Sequence, residues 1–281
     1  MVNKTNSTAG YFRSCLPYNR FGQGVRNLII FQGLLFENKP LDGLMLPMFS
    51  DAYAFLFMDQ DFTTYIVSRK PGLPNGYTMK DMSDDYAAMI QEEFVGPVDV
   101  LGVSTGGSIA QHFAADHPEL VRKLIIHSSA HTMNDYARKQ ALRVGHLARQ
   151  RQWRQAYAAF ISPMFLQRKI AKPIARPLIW LTSLMGGKLL GAPADPSDLV
   201  ITIEAEDQHT FKDRLGQIRA PTLVVAGADD PFYSESLFRE TAEGIPNARL
   251  VLYPEMGHPA AGKQFERDVL LFLKEAVGET A

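Results

Sequence analysis

The sequence predicts an α/β protein with a doubly wound, mostly parallel sheet. Two observations support this prediction: short apolar runs recur along the chain, and stretches with helical spacing lie between them. The runs are continuously apolar rather than alternating, as is typical of parallel strands that helices cover on both faces. A strand–helix–strand rhythm also places the carboxyl ends of successive strands at one edge of the sheet.

Six apolar runs are predicted strands, and they occupy residues 27–31, 64–68, 98–101, 124–127, 222–226 and 249–253. Four segments have the spacing of helices, and they occupy residues 79–94, 108–115, 235–243 and 264–277. Residues 12–20 precede the first run, and they are consistent with part of an antiparallel hairpin that leads into the sheet.

The alternation of strands and helices stops between residues 131 and 216, where no strand-like run occurs. Four prolines interrupt this stretch, namely Pro173, Pro177, Pro193 and Pro196. We therefore predict a mostly helical cap, or lid, over residues 131–216. It is inserted into a core that comprises residues 1–130 and 217–281.

The predicted cap is strongly basic. Residues 136–194 contain eleven Lys or Arg residues and no Asp or Glu, although the net charge of the whole chain is −1. Charge segregation of this kind indicates a distinct structural unit. The cations either form a solvated outer face or receive an anionic group. Such a group could be a substrate carboxylate, a phosphate-bearing acyl carrier, coenzyme A or an acidic membrane surface.

The composition excludes several classes of protein. With 281 residues, 46% of them hydrophobic and 21% charged, the chain resembles an ordinary globular protein. Its single cysteine, Cys15, cannot form an intramolecular disulfide or a zinc–thiolate site, and Asp207 and His209 lack a third metal ligand. Neither of the glycine-rich motifs that bind nucleotides occurs. We expect no cofactor, no metal and no nucleic-acid partner.

The sequence shows no targeting or membrane signal. Residues 1–7 are polar where a signal peptide would need an apolar stretch. The most apolar segment, residues 178–185, is too short to span a bilayer. We therefore expect a cytoplasmic protein without stable membrane insertion.

A serine stands at the junction between a predicted strand and a predicted helix. Ser104 is the centre of Gly102-Val103-Ser104-Thr105-Gly106. In a tight turn of this kind, flanking glycines avoid clashes between Cβ atoms, and the serine hydroxyl projects from the sheet edge beside a helix N-terminus. The motif therefore favours a nucleophile, and the alternative is a helix N-cap.

A serine nucleophile needs a base and a group that orients this base. Asp230 follows the fifth predicted strand and His258 follows the sixth, so both are expected at the sheet edge that carries Ser104. The 28 residues that separate them are enough for one crossover unit. The alternatives are a turn role for Asp230 and a surface-loop role for His258.

The chain order Ser104, Asp230, His258, together with the glycine-flanked serine, resembles the α/β-hydrolase superfamily. The resemblance covers residues 22–130 and 215–279. It implies an eight-stranded, mostly parallel sheet with an inserted helical lid. Serine at this turn disfavours the branches of the superfamily that use an aspartate nucleophile, and the lipases with a His-Gly-Gly-Gly loop are not the nearest relatives.

The resemblance also implies a role for each candidate catalytic residue. Ser104 is the expected nucleophile, and His258 is the expected general base and then general acid. Asp230 is expected to hold the imidazole tautomer. It is favoured over Asp229 because it is the fourth residue of a Gly-x-x-Asp sequence that begins at Gly227.

The resemblance further implies an oxyanion hole that is formed by the backbone N–H groups of Leu34 and Thr105. Gln32-Gly33 stands where the superfamily usually has His-Gly after its third strand. We interpret Gln32 as a loop variant that leaves the three catalytic residues intact but makes the geometry of the oxyanion loop less predictable.

The expected function is hydrolysis of a small-molecule carboxylic ester through an acyl-enzyme, with a hydrophobic acyl group. A thioesterase, a lactonase or an acyltransferase would use the same residues. A cofactor-independent perhydrolase, a hydroxynitrile lyase and a non-catalytic ligand-binding protein are alternatives of other classes. Large aromatic side chains in the predicted cap suggest residues that bind substrate, namely Trp153, Tyr157 and Trp180.

Overall fold

The structure is a computed structural model that describes residues 7–43, 45–167, 180 and 192–276. Within these residues eight strands form one sheet: β1 (Thr8–Tyr11), β2 (Pro17–Gly22), β3 (Arg26–Phe31), β4 (Phe62–Val67), β5 (Val98–Val103), β6 (Val121–His127), β7 (Thr222–Gly227) and β8 (Ala248–Tyr253). Their order across the sheet is β1-β2-β4-β3-β5-β6-β7-β8. The pairs β1–β2 and β2–β4 are antiparallel, and all later neighbours are parallel. The predicted fold class is confirmed.

The hairpin that leads into the sheet begins earlier than the sequence predicts. Its strands are β1 and β2, and residues 12–16 form the turn between them. Cys15 has a φ of 67° in this turn, in the left-handed region that residues other than glycine rarely adopt. Phe12, in this turn, packs on Tyr18 of β2, with ring centroids 4.4 Å apart.

Helices flank the sheet in the described part of the chain: α1 (Met45–Ser50), α2 (Ala54–Met58), α3 (Met79–Glu93), α4 (Thr105–Asp116), α5 (Asp135–Arg149), α6 (Trp153–Gln167), α7 (Ser197–Gln208), α8 (Glu235–Gly244) and α9 (Lys263–Lys274). Helices α3 and α4 cover one face of the sheet, and α2 and α9 cover the other. The four predicted helices are present. The short helices α1 and α2 were not predicted, because six and five residues are too few to show a helical period.

The central strands are buried on both faces, which explains their continuously apolar sequences. In β3, Ile29 and Phe31 pack with α3 and α4, whereas Leu28 and Ile30 pack with α2 and α9. Successive side chains of a strand point to opposite faces, so each face receives every second residue. The parallel strands consequently end at one edge of the sheet, which is where the predicted catalytic residues lie.

Between β6 and β7, the described residues form helices α5, α6 and α7 and contain no strand. These helices share an apolar cluster that includes Val144, Tyr157 and Leu199. Helix α7 also contributes Ile201 and Ala205 to the core of the sheet. The division into a core and a cap over residues 131–216 stays a prediction.

Some predicted features of the basic segment lie outside the described residues. They are Arg168, Lys169, Lys172, Arg176 and Lys188, the prolines Pro173 and Pro177, and most of the apolar segment 178–185. Among the helices that are described, none has both the length and the apolar character needed to cross a membrane.

Candidate active site

Ser104 lies in the tight turn between β5 and α4. Its backbone has φ 52° and ψ −124°, a conformation that is strained for any residue other than glycine. The turn leaves no room beside it: a Cβ on Gly102 would lie 2.5 Å from the carbonyl oxygen of Gly106, and a Cβ on Gly106 would overlap the carbonyl oxygen of Phe31. These contacts explain the two glycines of the motif. Ser104 makes no side-chain capping hydrogen bond, so the N-cap interpretation does not apply.

The structure brings together the three residues that the sequence suggested as nucleophile, base and acid. His258 Nδ1–H donates to Asp230 Oδ2 at 2.7 Å, and the Ser104 hydroxyl donates to His258 Nε2 at 3.0 Å. This assignment of protons follows from the carboxylate, which can only accept. The imidazole is therefore held in the tautomer that can remove the proton of Ser104.

Asp230, rather than its neighbour Asp229, is the acid that contacts the histidine. Asp230 is buried, whereas Asp229 is exposed. The second carboxylate oxygen of Asp230 accepts from the backbone N–H groups of Phe232 at 2.8 Å and Tyr233 at 3.2 Å. These bonds fix the orientation of the carboxylate toward His258.

A second buried histidine supports the loop that carries His258. His127, at the end of β6, donates from Nε2–H to the carbonyl oxygen of Ala260 at 2.7 Å and accepts at Nδ1 from the Tyr53 hydroxyl at 2.9 Å. Burial lowers the pKa of His127 to about 3, so the ring is neutral at neutral pH. The Ser128 hydroxyl accepts from the Ala260 N–H at 3.0 Å, which adds a second attachment.

The candidate oxyanion donors lie beside Ser104. Leu34 and Thr105 line the same cavity as the serine. Thr105 is the first residue of α4, where a backbone N–H has no acceptor within the helix. Gly33 abuts the serine, since a Cβ on Gly33 would lie 3.4 Å from Ser104 Cβ. The two backbone N–H groups remain candidates for the oxyanion hole.

The cavity above Ser104 has a volume of about 220 Å³, and most of the residues that line it are apolar. The aromatic members include Phe49, Phe160 and Phe232. Helices α5, α6 and α7 contribute part of the lining, for example Val144, Phe160 and Ile203. The shape and composition fit a site for a small, mainly apolar molecule.

A buried carboxyl group that the sequence gave no reason to select also lines this cavity. Glu206, on α7, accepts from the Ser108 hydroxyl at 2.6 Å and lies 3.5 Å from the Tyr233 hydroxyl. Burial raises its pKa above the ordinary value of a glutamic acid, even though these contacts favour the charged form. Glu206 thereby joins α7 to the helix after Ser104 and to the loop that holds Asp230.

The three aromatic residues proposed to bind substrate do not line the cavity. Tyr157 is buried in the cluster of α5, α6 and α7, with its ring 4.3 Å from that of Phe36, and Trp153 lies 6.3 Å from the same ring. Trp180 is 56% exposed and lies under the Arg154 guanidinium at 5.5 Å. The aromatic side chains that do line the cavity are phenylalanines and two tyrosines, Tyr53 and Tyr233.

The described residues contain no group of three or more His, Cys, Asp or Glu side chains that could hold a metal ion. The predicted acid–base chemistry at Ser104, His258 and Asp230 uses protein groups alone.

Three features together define an α/β hydrolase. They are the order of the strands in the sheet, the strained serine after β5, and the acid and histidine that follow β7 and β8. The comparisons with known proteins agree. A family model described as serine aminopeptidase, S33, matches residues 76–262, about two thirds of the chain. The chain belongs to this family, and it is an enzyme of the α/β-hydrolase class.

The sequence identities with individual proteins are low. A provisionally named carbamate hydrolase, RutD, of Klebsiella pneumoniae is 25% identical over 190 residues, which cover 66% of this chain and 68% of the relative. The pimeloyl-[acyl-carrier protein] methyl ester esterase of Nitrosomonas europaea is 27% identical over 188 residues, which cover 63% and 71%. Among solved structures, the α/β hydrolase MGS-M2 from a Medee basin deep-sea metagenome library superposes with a TM-score of 0.72 at 14% identity, covering 97% of this chain and 99% of that one.

Proposed function

We propose that the protein is a serine hydrolase that cleaves a carboxylic ester with a hydrophobic acyl group, through an acyl-enzyme on Ser104. The observation that supports this most strongly is the hydrogen-bonded series Ser104–His258–Asp230, which opens into a mainly apolar cavity. A non-catalytic binding protein would not need the strained turn at Ser104.

The geometry supports a two-step reaction. Ser104 Oγ attacks the ester carbonyl carbon while its proton moves to His258 Nε2, and the leaving alcohol takes that proton. Water then attacks the acyl-enzyme and gives a proton to His258, which returns it to Ser104 as the carboxylic acid departs. The N–H groups of Leu34 and Thr105 stabilise the negative oxygen that forms in each step.

The cavity supports an apolar, uncharged acyl group. None of the described residues that line it is Lys or Arg, so a carboxylate on the acyl chain would lose its hydration without gaining a cation. Apolar side chains such as Leu35, Met45 and Phe49 instead provide a surface that gains free energy when an acyl chain covers it.

We also propose that residues 131–216 act as a cap that shapes this acyl site. Helices α5, α6 and α7 lie within that range and contribute Val144, Phe160 and Ile203 to the cavity lining. Their own apolar cluster gives the segment a packing unit of its own beside the sheet. The printed names of the relatives, an ester hydrolase and a carbamate hydrolase, agree with cleavage of a bond at an acyl carbon.

The test is a panel of substrates for the wild type and Ser104→Ala. It contains p-nitrophenyl esters of increasing acyl length, an acyl thioester, a lactone and an amino-acid arylamide, the last because of the family name. We expect the esters to be hydrolysed fastest. Ser104→Ala should lose about four to six orders of magnitude in rate. Retention of most activity in Ser104→Ala would contradict the proposal, and so would preferential cleavage of the arylamide.

Two further assays address the other chemical classes. Perhydrolase activity would appear as peracid from a short-chain acid and hydrogen peroxide, and lyase activity as cyanide release from a cyanohydrin. We expect neither product at a rate comparable with ester hydrolysis.

A further inference from the structure

Arg69 lies buried at the end of β4, beneath the loop that follows β3. It is only 1% exposed, although arginine is rarely buried without a partner. Within the described residues it forms no ion pair at contact distance. Its guanidinium instead donates from Nη1 to the carbonyl oxygen of Gln32 at 2.9 Å and from Nη2 to that of Gly33 at 3.1 Å.

These two hydrogen bonds fix the direction of the next backbone N–H. The peptide between Gly33 and Leu34 is trans, so its carbonyl oxygen and the Leu34 N–H point in opposite directions. Arg69 holds the carbonyl oxygen of Gly33 on the buried side. The Leu34 N–H therefore points to the other side, where Leu34 and Ser104 line the cavity.

The side chain at position 32 does not provide this support. Gln32 Oε1 is buried and has no hydrogen-bond partner within the described residues. The Gln32 N–H donates to Val67 O at 3.0 Å, which secures the start of the loop but leaves the Gly33–Leu34 peptide free to rotate. Gly33 itself adds conformational freedom, so the peptide needs an external contact to hold one orientation.

Burial lowers the pKa of Arg69, although the negative charges of Glu206 and Asp198 oppose this effect. The guanidinium keeps its charge even so, because arginine is not deprotonated in proteins. The fork of two N–H groups matches two successive carbonyl oxygens, and the single ammonium of lysine could not reproduce this geometry.

We propose that Arg69 is a positioning residue for the oxyanion hole: it clamps the carbonyl oxygens of Gln32 and Gly33 so that the Leu34 N–H faces the oxygen that becomes negative during ester cleavage. This inference rests on the proposed function, because the oxyanion forms only when Ser104 attacks an acyl carbon.

The experiment compares Arg69→Met and Arg69→Lys with the wild type on one p-nitrophenyl ester. An oxyanion donor acts in the transition state, so we expect kcat to fall about 100-fold in Arg69→Met, with KM nearly unchanged. Arg69→Lys keeps the charge but loses the fork, and we expect a smaller loss that is still confined to kcat. Affinity for a trifluoromethyl ketone, which forms an oxyanion on Ser104, should fall in parallel with kcat, whereas affinity for the carboxylic acid product should not.

The matched control is Arg122→Met. Arg122 donates from Nε to Asp99 at 2.8 Å at the opposite end of β5 and β6, away from the cavity. The Arg122→Met variant should have a lower free energy of unfolding than the wild type, but its kcat and its affinity for the ketone should be unchanged.

A rescue experiment uses the variant Arg69→Ala. The small ligand ethylguanidine should restore part of the kcat of this variant and have no such effect on the wild type.

One measurement avoids variants altogether. In wild-type protein labelled with ¹⁵N-leucine, the Leu34 amide signal should move strongly when the trifluoromethyl ketone binds. An unmoved Leu34 signal in the ketone complex would overturn the inference, as would normal kcat and ketone affinity in folded Arg69→Met and Arg69→Lys. Failure of the wild type to form a ketone adduct on Ser104 would instead contradict the proposed function, together with the inference that depends on it.

Discussion

Two regions of the molecule are held together in different ways. One comprises the turns after β5, β7 and β8, and the other comprises the helices between β6 and β7. In the turn at Ser104 the backbone of one segment approaches that of the next so closely that side chains are excluded, and a Cβ on Gly106 would overlap Phe31. In helix α5 the same residue type has ordinary space, because a Cβ on Gly145 would meet its nearest neighbour, Ile203, at 3.6 Å.

The difference has a consequence for sequence interpretation. Close backbone approach demands glycine at fixed spacing, and a hydrogen-bonded series of side chains demands particular residue types. Both leave a pattern in the sequence. Apolar packing between helices accepts many side chains, so the sequence of α5, α6 and α7 shows which residues are apolar but not which of them face the cavity. Four pairs of variants test this contrast, in order of decreasing effect.

The largest expected effect distinguishes the two neighbouring aspartates after β7. Asp230→Asn should lower kcat for ester hydrolysis about 10⁴-fold, because an amide no longer holds the His258 tautomer that accepts the proton of Ser104. Asp229→Asn is the matched control, since Asp229 is exposed, and it should retain nearly full activity. Steady-state kinetics on one ester measures both. Equal losses in the two variants would contradict the assignment of the acid.

The second prediction concerns the free energy of unfolding, measured with urea, for variants at one glycine of each region. Gly106→Ala should lower the free energy of unfolding by about 3 kcal/mol, because the new Cβ overlaps the backbone of Phe31. Gly145→Ala should raise it by about 0.5–1 kcal/mol, since alanine is favoured inside a helix and the space is available. Similar changes in both variants would remove the distinction between the two regions.

The third effect concerns the pH dependence of stability. His127 is held neutral in the folded protein with a pKa of about 3, whereas in the unfolded chain its pKa is about 6.5. As the pH falls below about 6.5, the unfolded state binds a proton that the folded state does not, so stability decreases until the pH approaches 3. This linkage amounts to about 1.4 kcal/mol per pH unit for one proton.

Urea unfolding at pH 7.5 and pH 5 can isolate this contribution. His127→Gln should unfold more easily than the wild type at pH 7.5 but lose less further stability at pH 5. His146→Gln, at an exposed position on α5, is the control and should keep the pH dependence of the wild type. An unchanged pH dependence in His127→Gln would show that the buried ring is not the source.

The smallest effect tests the cavity lining. Phe160→Ala enlarges the cavity, so the ratio of kcat/KM for octanoyl over butanoyl p-nitrophenyl ester should rise about tenfold. Trp153→Ala removes a large aromatic residue outside the lining and should leave this ratio unchanged. A shift of the ratio in Trp153→Ala alone would restore the original expectation that Trp153 contacts the substrate.

The sequence was sufficient for the fold class and for the proximity of Ser104, Asp230 and His258. Buried parallel strands produce continuous apolar runs, and residues that follow such strands must share one sheet edge. The six predicted strands are all present, although most begin or end one or two residues away from the prediction.

Other parts of the site could not be predicted in the same way. Tyr53, Arg69 and Glu206 reach the site from segments that show no motif, and each contributes through one side chain whose direction depends on the folded backbone. The candidate substrate residues in the cap were chosen for size. Their positions depend on how α5, α6 and α7 pack against each other, and apolar periodicity does not specify that packing.

The central claim is that Ser104 is a nucleophile activated by His258. Mass spectrometry of the protein after treatment with a fluorophosphonate probe tests it most directly, because the probe forms a covalent bond with an activated serine. We expect one adduct per chain, located on the peptide that contains Ser104, and no adduct in Ser104→Ala. Labelling at another serine, or undiminished labelling of Ser104→Ala, would contradict the claim.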